Sequence, residues 1–149
     1  RYPNLLILRT FSKAYGLAGM RVGYVLGPAE LLVPVRAVVT PFSITEVAQT
    51  AAIASLDAKD ELLERVAVTV AERDRVVDAL RAAGWDVPET DGNFVWLPTG
   101  ERTADVSAAL GALPTPILVR PFMGEGIRIT IGAPEENDAL VAALGELGA

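Results

Sequence analysis

Short apolar runs, broken by glycine and proline, mark the places where strands are expected. Residues 5–8 and 21–26 have the length and apolar character of buried strands, and a glycine-rich bend separates them. Later in the chain three further runs are strand-like, and turn residues bound each of them: 93–97, 117–120 and 127–131. The pattern therefore predicts five short strands.

Apolar residues at helical spacing predict five helices, four between these strands and one after the last strand. They are expected over residues 29–39, 44–56, 59–83, 103–110 and 134–147. The first should be interrupted or bent at Pro34, a capping box of Ser43 and Glu46 should begin the second, and Gly84 should end the third. The charged run 72–75 inside the third helix is expected to form a solvated face.

The composition argues against several classes of function. The net charge is −6 without a basic stripe, which disfavours nucleic-acid binding. Because the chain has no cysteine and no histidine, we expect neither a disulfide framework nor a metal site. No apolar run reaches about 18 residues, so no membrane span is expected and a cytoplasmic location is the default. Because 51% of the residues are hydrophobic and the mean hydropathy is +0.35, we expect some of the apolar surface to contact protein outside this chain.

Candidate chemistry is concentrated in the bend between the first two apolar runs. A lysine amine that is partly desolvated near another cation has a lowered pKa and can form a Schiff base, and Lys13 is the candidate. Thr10 and Ser12 offer hydroxyls, and Arg21 offers a fork of donors matched to phosphate oxygens. Pyridoxal 5′-phosphate carries both an aldehyde and a phosphate. An exposed lysine and an arginine in an ordinary ion pair would explain the same spacing.

The segment Thr-Phe-Ser-Lys-Ala-Tyr-Gly-Leu-Ala-Gly-Met-Arg-Val-Gly-Tyr at residues 10–24 resembles the lysine segment of the fold-type I class I/II pyridoxal-phosphate aminotransferases. It is most similar to their histidinol-phosphate aminotransferase branch, which includes aromatic (phenylalanine) aminotransferases. This resemblance implies that Lys13 binds the cofactor covalently and moves the proton during amino transfer. It also implies that Thr10, Ser12 and Arg21 hold the cofactor phosphate.

A second candidate group is a pair of arginines late in the chain. In Gly-Ile-Arg-Ile-Thr-Ile-Gly, residues 126–132, Arg128 alternates with isoleucines and so should face away from the local core. An ordinary exposed arginine would fit this pattern as well. The family resemblance implies that Arg128 grips the substrate carboxylate. Arg120, in Ile-Leu-Val-Arg-Pro, resembles a second arginine near the substrate end in the histidinol-phosphate branch.

The resemblance also implies an α/β fold and a domain organisation. Residues 1–57 would form the C-terminal part of the large cofactor-binding domain, 58–84 a linking helix, and 85–149 a small C-terminal α+β domain. The family's upstream Asp-Glu-Ala-Tyr and Asn-Pro-x-x-Pro-x-Gly segments do not occur here. We therefore expect a C-terminal fragment of the enzyme, inactive by itself.

The first functional hypothesis is histidinol-phosphate aminotransferase, with an aromatic amino acid aminotransferase as the alternative. A non-catalytic regulatory module, a fold-type I decarboxylase or lyase, and an interaction domain unrelated to the cofactor are further alternatives. The expected partners are a small-molecule amino donor and a 2-oxo acid. By resemblance, the full-length protein would be a homodimer.

Overall fold

The computed structural model describes residues 2–149, which form two compact units. One unit ends at Val66 and the other covers Ala67–Ala149, so the division falls inside the long helix Lys59–Ala82 (α3). The domain limits predicted from the sequence, 1–57, 58–84 and 85–149, stay a prediction. Within residues 2–149, no helix is both long enough and apolar enough to cross a membrane.

The first unit contains an antiparallel strand pair followed by helices. Its elements before α3 are β1 (Ile7–Thr10), β2 (Gly23–Leu26), α1 (Ala29–Val38) and α2 (Glu46–Asp57). The strand predicted at 5–8 begins two residues later, at Ile7, because the Leu5 N–H is used in a turn with the Tyr2 carbonyl. The predicted strand 21–26 starts late, because Arg21 has a left-handed backbone (φ +53°) that cannot continue a ladder.

The start of α2 differs from the sequence prediction. The Thr45 hydroxyl accepts the Ala48 N–H at 3.1 Å and caps the helix, whereas the Ser43 N–H closes a turn onto the Thr40 carbonyl. The prediction that Ser43 and Glu46 form a capping box is therefore wrong. Either hydroxyl could serve as a cap, and the turn before the helix selects Thr45.

The strand pair of the first unit exposes its apolar side chains. All four residues of β1 are exposed, and the fractions for Ile7 and Leu8 are 47% and 75%. Tyr24 and Leu26 of β2 are also about half exposed. A two-stranded ladder has marginal stability without a covering layer. The expectation that this surface meets protein outside the chain stays a prediction.

The second unit is a three-stranded antiparallel sheet with helices on one face. Beyond α3, its elements are β3 (Phe94–Leu97), α4 (Thr103–Gly111), β4 (Arg120–Phe122), β5 (Gly126–Thr130) and α5 (Pro134–Leu147). β5 lies between β3 and β4. The predicted strand 117–120 is wrong in position, because the Ile117 N–H bonds to the Leu110 carbonyl at the end of α4.

Alternation along the strands builds the core of the second unit. Val95, Leu97, Ile127 and Ile129 are buried on one face of the sheet. Helix side chains complete the same cluster: Val76, Val77, Leu80, Val106, Leu110, Leu140 and Leu144. Because burying one such side chain contributes about 1.5–3 kcal/mol, this face is fixed toward the helices. The residues between them must then line the opposite face.

Gly84 ends α3 as predicted. Its φ is +93°, its N–H bonds to the Arg81 carbonyl, and the next N–H, of Trp85, bonds to the Leu80 carbonyl. These two bonds are the Schellman pattern, which uses a residue of positive φ to satisfy the last helix carbonyls. The Trp85 indole N–H then donates to the Leu144 carbonyl at 3.1 Å, which joins this end of α3 to α5.

Only part of the charged run in α3 is the solvated face that the sequence predicted, because Asp74 and Arg75 are exposed but their two neighbours are not. The side chains of Glu72 and Arg73 are only 16% and 11% exposed. Glu72 accepts a hydrogen bond from the buried Asn137 amide at 2.9 Å, in addition to a two-point contact with Arg75. The hydrogen bond from Arg75 and then the one from Asn137 hold the pKa of Glu72 below its ordinary value of 4.5.

The lowered pKa of Glu72 predicts a pH dependence of stability. A carboxyl group with a depressed folded-state pKa stabilises the fold above its unfolded pKa, and this contribution disappears as the pH falls through the folded value. Between about pH 5 and pH 3, unfolding of the full-length protein by urea should therefore show a smaller loss of stability for Glu72→Gln than for the wild type. Glu61→Gln, at an exposed pair with Arg65, is the control. Equal acid sensitivity of wild type and Glu72→Gln would contradict this assignment.

Candidate active site

The lysine segment forms the loop 11–22 between β1 and β2, and Phe11 anchors it. Phe11 is 5% exposed, and its ring centroid lies 4.8 Å from that of Tyr15 and 6.1 Å from that of Tyr24. Its N–H donates to the Val22 carbonyl at 3.2 Å, which extends the pairing of the two strands by one bond. The residues on either side of Phe11 are therefore held at the end of the ladder.

Thr10 and Ser12 form a hydroxyl pair at this position. The Thr10 hydroxyl donates to Ser12 Oγ at 2.9 Å, and the Ser12 N–H donates to Thr10 Oγ1 at 3.0 Å. The Thr10 hydroxyl thus both donates and accepts a hydrogen bond within the loop. The Ser12 hydroxyl hydrogen is left to be donated to another group, as a phosphate oxygen would require.

Lys13 follows the hydroxyl pair and is exposed. Its carbonyl accepts the Gly16 N–H at 2.8 Å, so that residues 13–16 form a turn with Gly16 at φ +67°. The sequence predicted a partly desolvated amine, and residues 2–149 do not provide that desolvation. A bound group or a further part of the polypeptide would have to cover Lys13.

Arg21 enters the site from the other end of the loop. It ends a 3₁₀ turn, Ala18–Met20, in a left-handed conformation, and its guanidinium donates to the Ala18 carbonyl at 2.7 Å. For a residue other than glycine this backbone costs about 1–2 kcal/mol, and such strain is common at functional sites. Within residues 2–149, no carboxylate lies within 4.0 Å of Arg21, so the ordinary ion pair considered from the sequence is not seen there.

These groups share one end of the hairpin. Thr10 is paired with Gly23 in the ladder, which brings Ser12 and Lys13 on one side and Arg21 on the other to the same end. The set combines a hydroxyl donor, an amine and a guanidinium. Such a set suits an anionic group linked to an electrophilic carbon, which is the combination that an aldehyde bearing a phosphate presents.

The two arginines predicted to bind substrate lie in the second unit, directly opposite each other. Arg128 in β5 pairs with Arg120 in β4 and with Trp96 in β3, on the face away from the core, as the alternation predicted for Arg128. Arg128 is half-buried and Arg120 is exposed. No carboxylate of residues 2–149 comes within 4.0 Å of either guanidinium. Because like charges facing each other across a ladder destabilise it, a bound anion would relieve this arrangement.

Sequence reasoning gave no chemical role to the aromatic side chains that share this face. Phe94, Trp96 and Phe122 line it together with the two arginines. The rings of Trp96 and Phe122 meet edge to face, with centroids 5.5 Å apart. The sequence did contain a signal for this arrangement. Phe94 and Trp96 are two residues apart and alternate with the core residues of β3, as side chains on the opposite face of a strand do.

Comparisons with known proteins agree with the fold and place the chain in a family. Residues 1–144 match the family model of aminotransferase class I and II. A curated protein from Thermobifida fusca named aromatic amino acid aminotransferase is 56% identical over 139 residues, which cover 93% of this chain and 38% of that protein. The chain thus spans little more than a third of the length of such relatives.

Comparison with solved structures supports the same family assignment. Histidinol-phosphate aminotransferase from Sinorhizobium meliloti, in complex with pyridoxal-5′-phosphate, is 30% identical with a TM-score of 0.80, covering 97% of this chain and 41% of that one. A decarboxylase from Sulfurospirillum multivorans is 26% identical with a TM-score of 0.76, covering 99% and 45%. These matches confirm the predicted α/β fold, which the chain shares with fold-type I aminotransferases over part of their length. The chain belongs to the aminotransferase class I and II family.

Proposed function

We propose that this chain is part of a pyridoxal-phosphate-dependent aminotransferase that acts on aromatic amino acids. The observation that carries the proposal is the 56% identity to a relative named aromatic amino acid aminotransferase, against 30% for the histidinol-phosphate aminotransferase structure. The order of the two hypotheses drawn from the sequence is thereby reversed. The partners would be an aromatic amino donor and a 2-oxo acid.

The hairpin end fits pyridoxal 5′-phosphate. The Ser12 hydroxyl, supported by Thr10, and the Arg21 guanidinium would hold the phosphate, and the Lys13 amine would meet the aldehyde. The absence of a carboxylate within 4.0 Å of Arg21 in the described chain supports an anion as its partner. When bound, this cofactor supplies an electron sink for the bonds of the substrate α-carbon.

The residues of the chain would orient the substrate and move its proton. Lys13 Nζ would take the proton that leaves the substrate α-carbon and deliver it during amino transfer, as a general base and then a general acid. The Arg128 guanidinium would grip the substrate carboxylate with two parallel hydrogen bonds and so fix the direction of the α-hydrogen. Positioning of this kind lowers the entropy cost of the proton transfer.

Histidinol phosphate remains the second candidate because of the arginine pair. Arg120 and Arg128 face each other without a carboxylate between them in the described chain, and two guanidinium forks can hold a phosphate as well as a carboxylate. A homodimer and a cytoplasmic location stay predictions for the full-length protein.

A substrate panel separates these candidates. With the full-length protein, pyridoxal 5′-phosphate and 2-oxoglutarate, kcat/KM for phenylalanine or tyrosine should exceed that for histidinol phosphate by at least about tenfold, a difference of about 1.4 kcal/mol in transition-state binding. A preference for histidinol phosphate would contradict the proposal. Release of carbon dioxide without amino transfer would favour a decarboxylase.

A further inference from the structure

On the face of the sheet away from the core, each of the two candidate substrate-binding arginines lies close to an aromatic ring. Arg128 Cζ lies 5.3 Å from the ring centroid of Phe94, and Arg120 Cζ lies 5.4 Å from that of Phe122. Both distances fall within the range of cation–π attraction. Phe94 is diagonal to Arg128 across the β3–β5 ladder, since its direct partner is Thr130. The contact thus follows from the register of the strands.

A ring and a carboxylate would hold a guanidinium in different ways. A carboxylate accepts the in-plane N–H groups of the fork and so occupies the donors that a substrate needs. An aromatic ring instead attracts the cation through the negative region above the ring plane, without supplying a carboxylate that would occupy the N–H donors. An arginine oriented by phenylalanine therefore keeps its N–H groups available for an incoming anion.

The Phe94 ring occupies space that is free because residue 92 is a glycine. A Cβ placed on Gly92 would lie 2.9 Å from Cε1 of Phe94, closer than carbon atoms approach without displacement. The backbone of Gly92 accepts a hydrogen bond from Arg73 at 3.4 Å, and its N–H donates to the Thr90 hydroxyl at 3.2 Å. With the backbone held on both sides, a side chain at position 92 would push the ring.

We propose that Phe94 is a positioning residue for Arg128, holding the guanidinium by cation–π attraction so that the fork stays open to the substrate carboxylate. The inference rests on the proposed role of Arg128 in substrate binding. It assigns to the Gly92–Phe94 pair a function that packing alone does not require. Replacing the ring should reduce the affinity for carboxylate ligands while leaving uncharged ligands unaffected.

Equilibrium binding to the full-length, cofactor-loaded protein tests this without relying on turnover. The probes are 3-phenylpropionate and its uncharged counterpart 3-phenylpropanamide, measured by titration calorimetry. Phe94→Leu should weaken binding of the carboxylate by about 3–30-fold, the range expected for loss of a cation–π contact, and change the amide by less than about twofold. Phe94→Tyr keeps the ring and should restore the wild-type affinity.

Gly92→Ala provides a second variant if Phe94→Leu does not fold, since it displaces the ring without removing it. It should weaken carboxylate binding in the same direction. Gly111→Ala is the matched control, because a Cβ at Gly111 meets no atom within 4 Å, and it should leave both affinities unchanged.

A double mutant separates failure of this inference from failure of the proposed function. In an Arg128→Gln background, Phe94→Leu should cause no further loss of carboxylate affinity, because both changes act on the same contact. Additive losses, or equal weakening of the acid and the amide by Phe94→Leu, would show a merely structural role and overturn the inference. If Arg128→Gln alone left carboxylate binding intact, the proposed substrate role of Arg128 would itself be wrong.

Discussion

Lys13→Ala in the full-length protein is expected to lower the rate of amino transfer by about 10³-fold or more. A positioned acid–base group contributes roughly 10²–10⁴-fold to the rate, and this amine would also bind the cofactor covalently. Arg21 and Ser12 remain in the variant, so the cofactor should still bind non-covalently. Its visible absorbance should shift to that of the free aldehyde. Stopped assays with phenylalanine and 2-oxoglutarate, together with the absorption spectrum, measure both effects.

The chain offers a matched control for this variant. Lys59 is the only other lysine in the sequence and is exposed at the start of α3. Lys59→Ala should leave the rate and the spectrum unchanged. Wild-type activity and an unshifted spectrum in Lys13→Ala would remove Lys13 from the proposed role.

Arg128→Gln is expected to lower kcat/KM for aromatic amino acids by about 30–1,000-fold, which corresponds to losing roughly 2–4 kcal/mol from a charged, two-point contact in a closed site. Glutamine keeps a donor and much of the volume, so the sheet should fold. Arg128→Lys keeps the charge and loses the fork, and it should recover only part of the loss. Steady-state kinetics over a range of amino acid concentrations would separate KM from kcat.

The control for Arg128 is an arginine outside the proposed site. Arg65→Gln removes an exposed pair with Glu61, in which the arginine side chain is 72% exposed, and should alter kcat/KM by less than about twofold. Unchanged kinetics with carboxylate substrates in Arg128→Gln would contradict its assignment as the carboxylate-binding arginine.

Elements with strong local signals could be predicted from the sequence. The helix α5 has the predicted limits, because Pro134 fixes its first residue and the Glu136 carboxylate accepts the Ala133 N–H at 2.8 Å. Gly84 likewise ends α3 because the left-handed conformation there suits glycine. The outward face of Arg128 followed from its alternation with buried isoleucines.

Features set by distant parts of the chain could not be predicted. Glu72 and Asn137 are 65 residues apart, so the charged run could not reveal its buried partner. The late start of β2 depends on the left-handed conformation of Arg21, an unusual choice for a residue with a side chain. The contact between Phe94 and Arg128 depends on strand register, and the sequence alone gave neither the pairing of β3 with β5 nor its alignment.

Borohydride reduction of the full-length protein loaded with pyridoxal 5′-phosphate tests the central claim most directly, because it converts a lysine Schiff base into a stable covalent label. After digestion with trypsin, mass spectrometry should find the label on Lys13, in a peptide spanning residues 10–21, and Lys59 should be unmodified. A protein that carries no label on Lys13, or carries it on another lysine, would contradict the account.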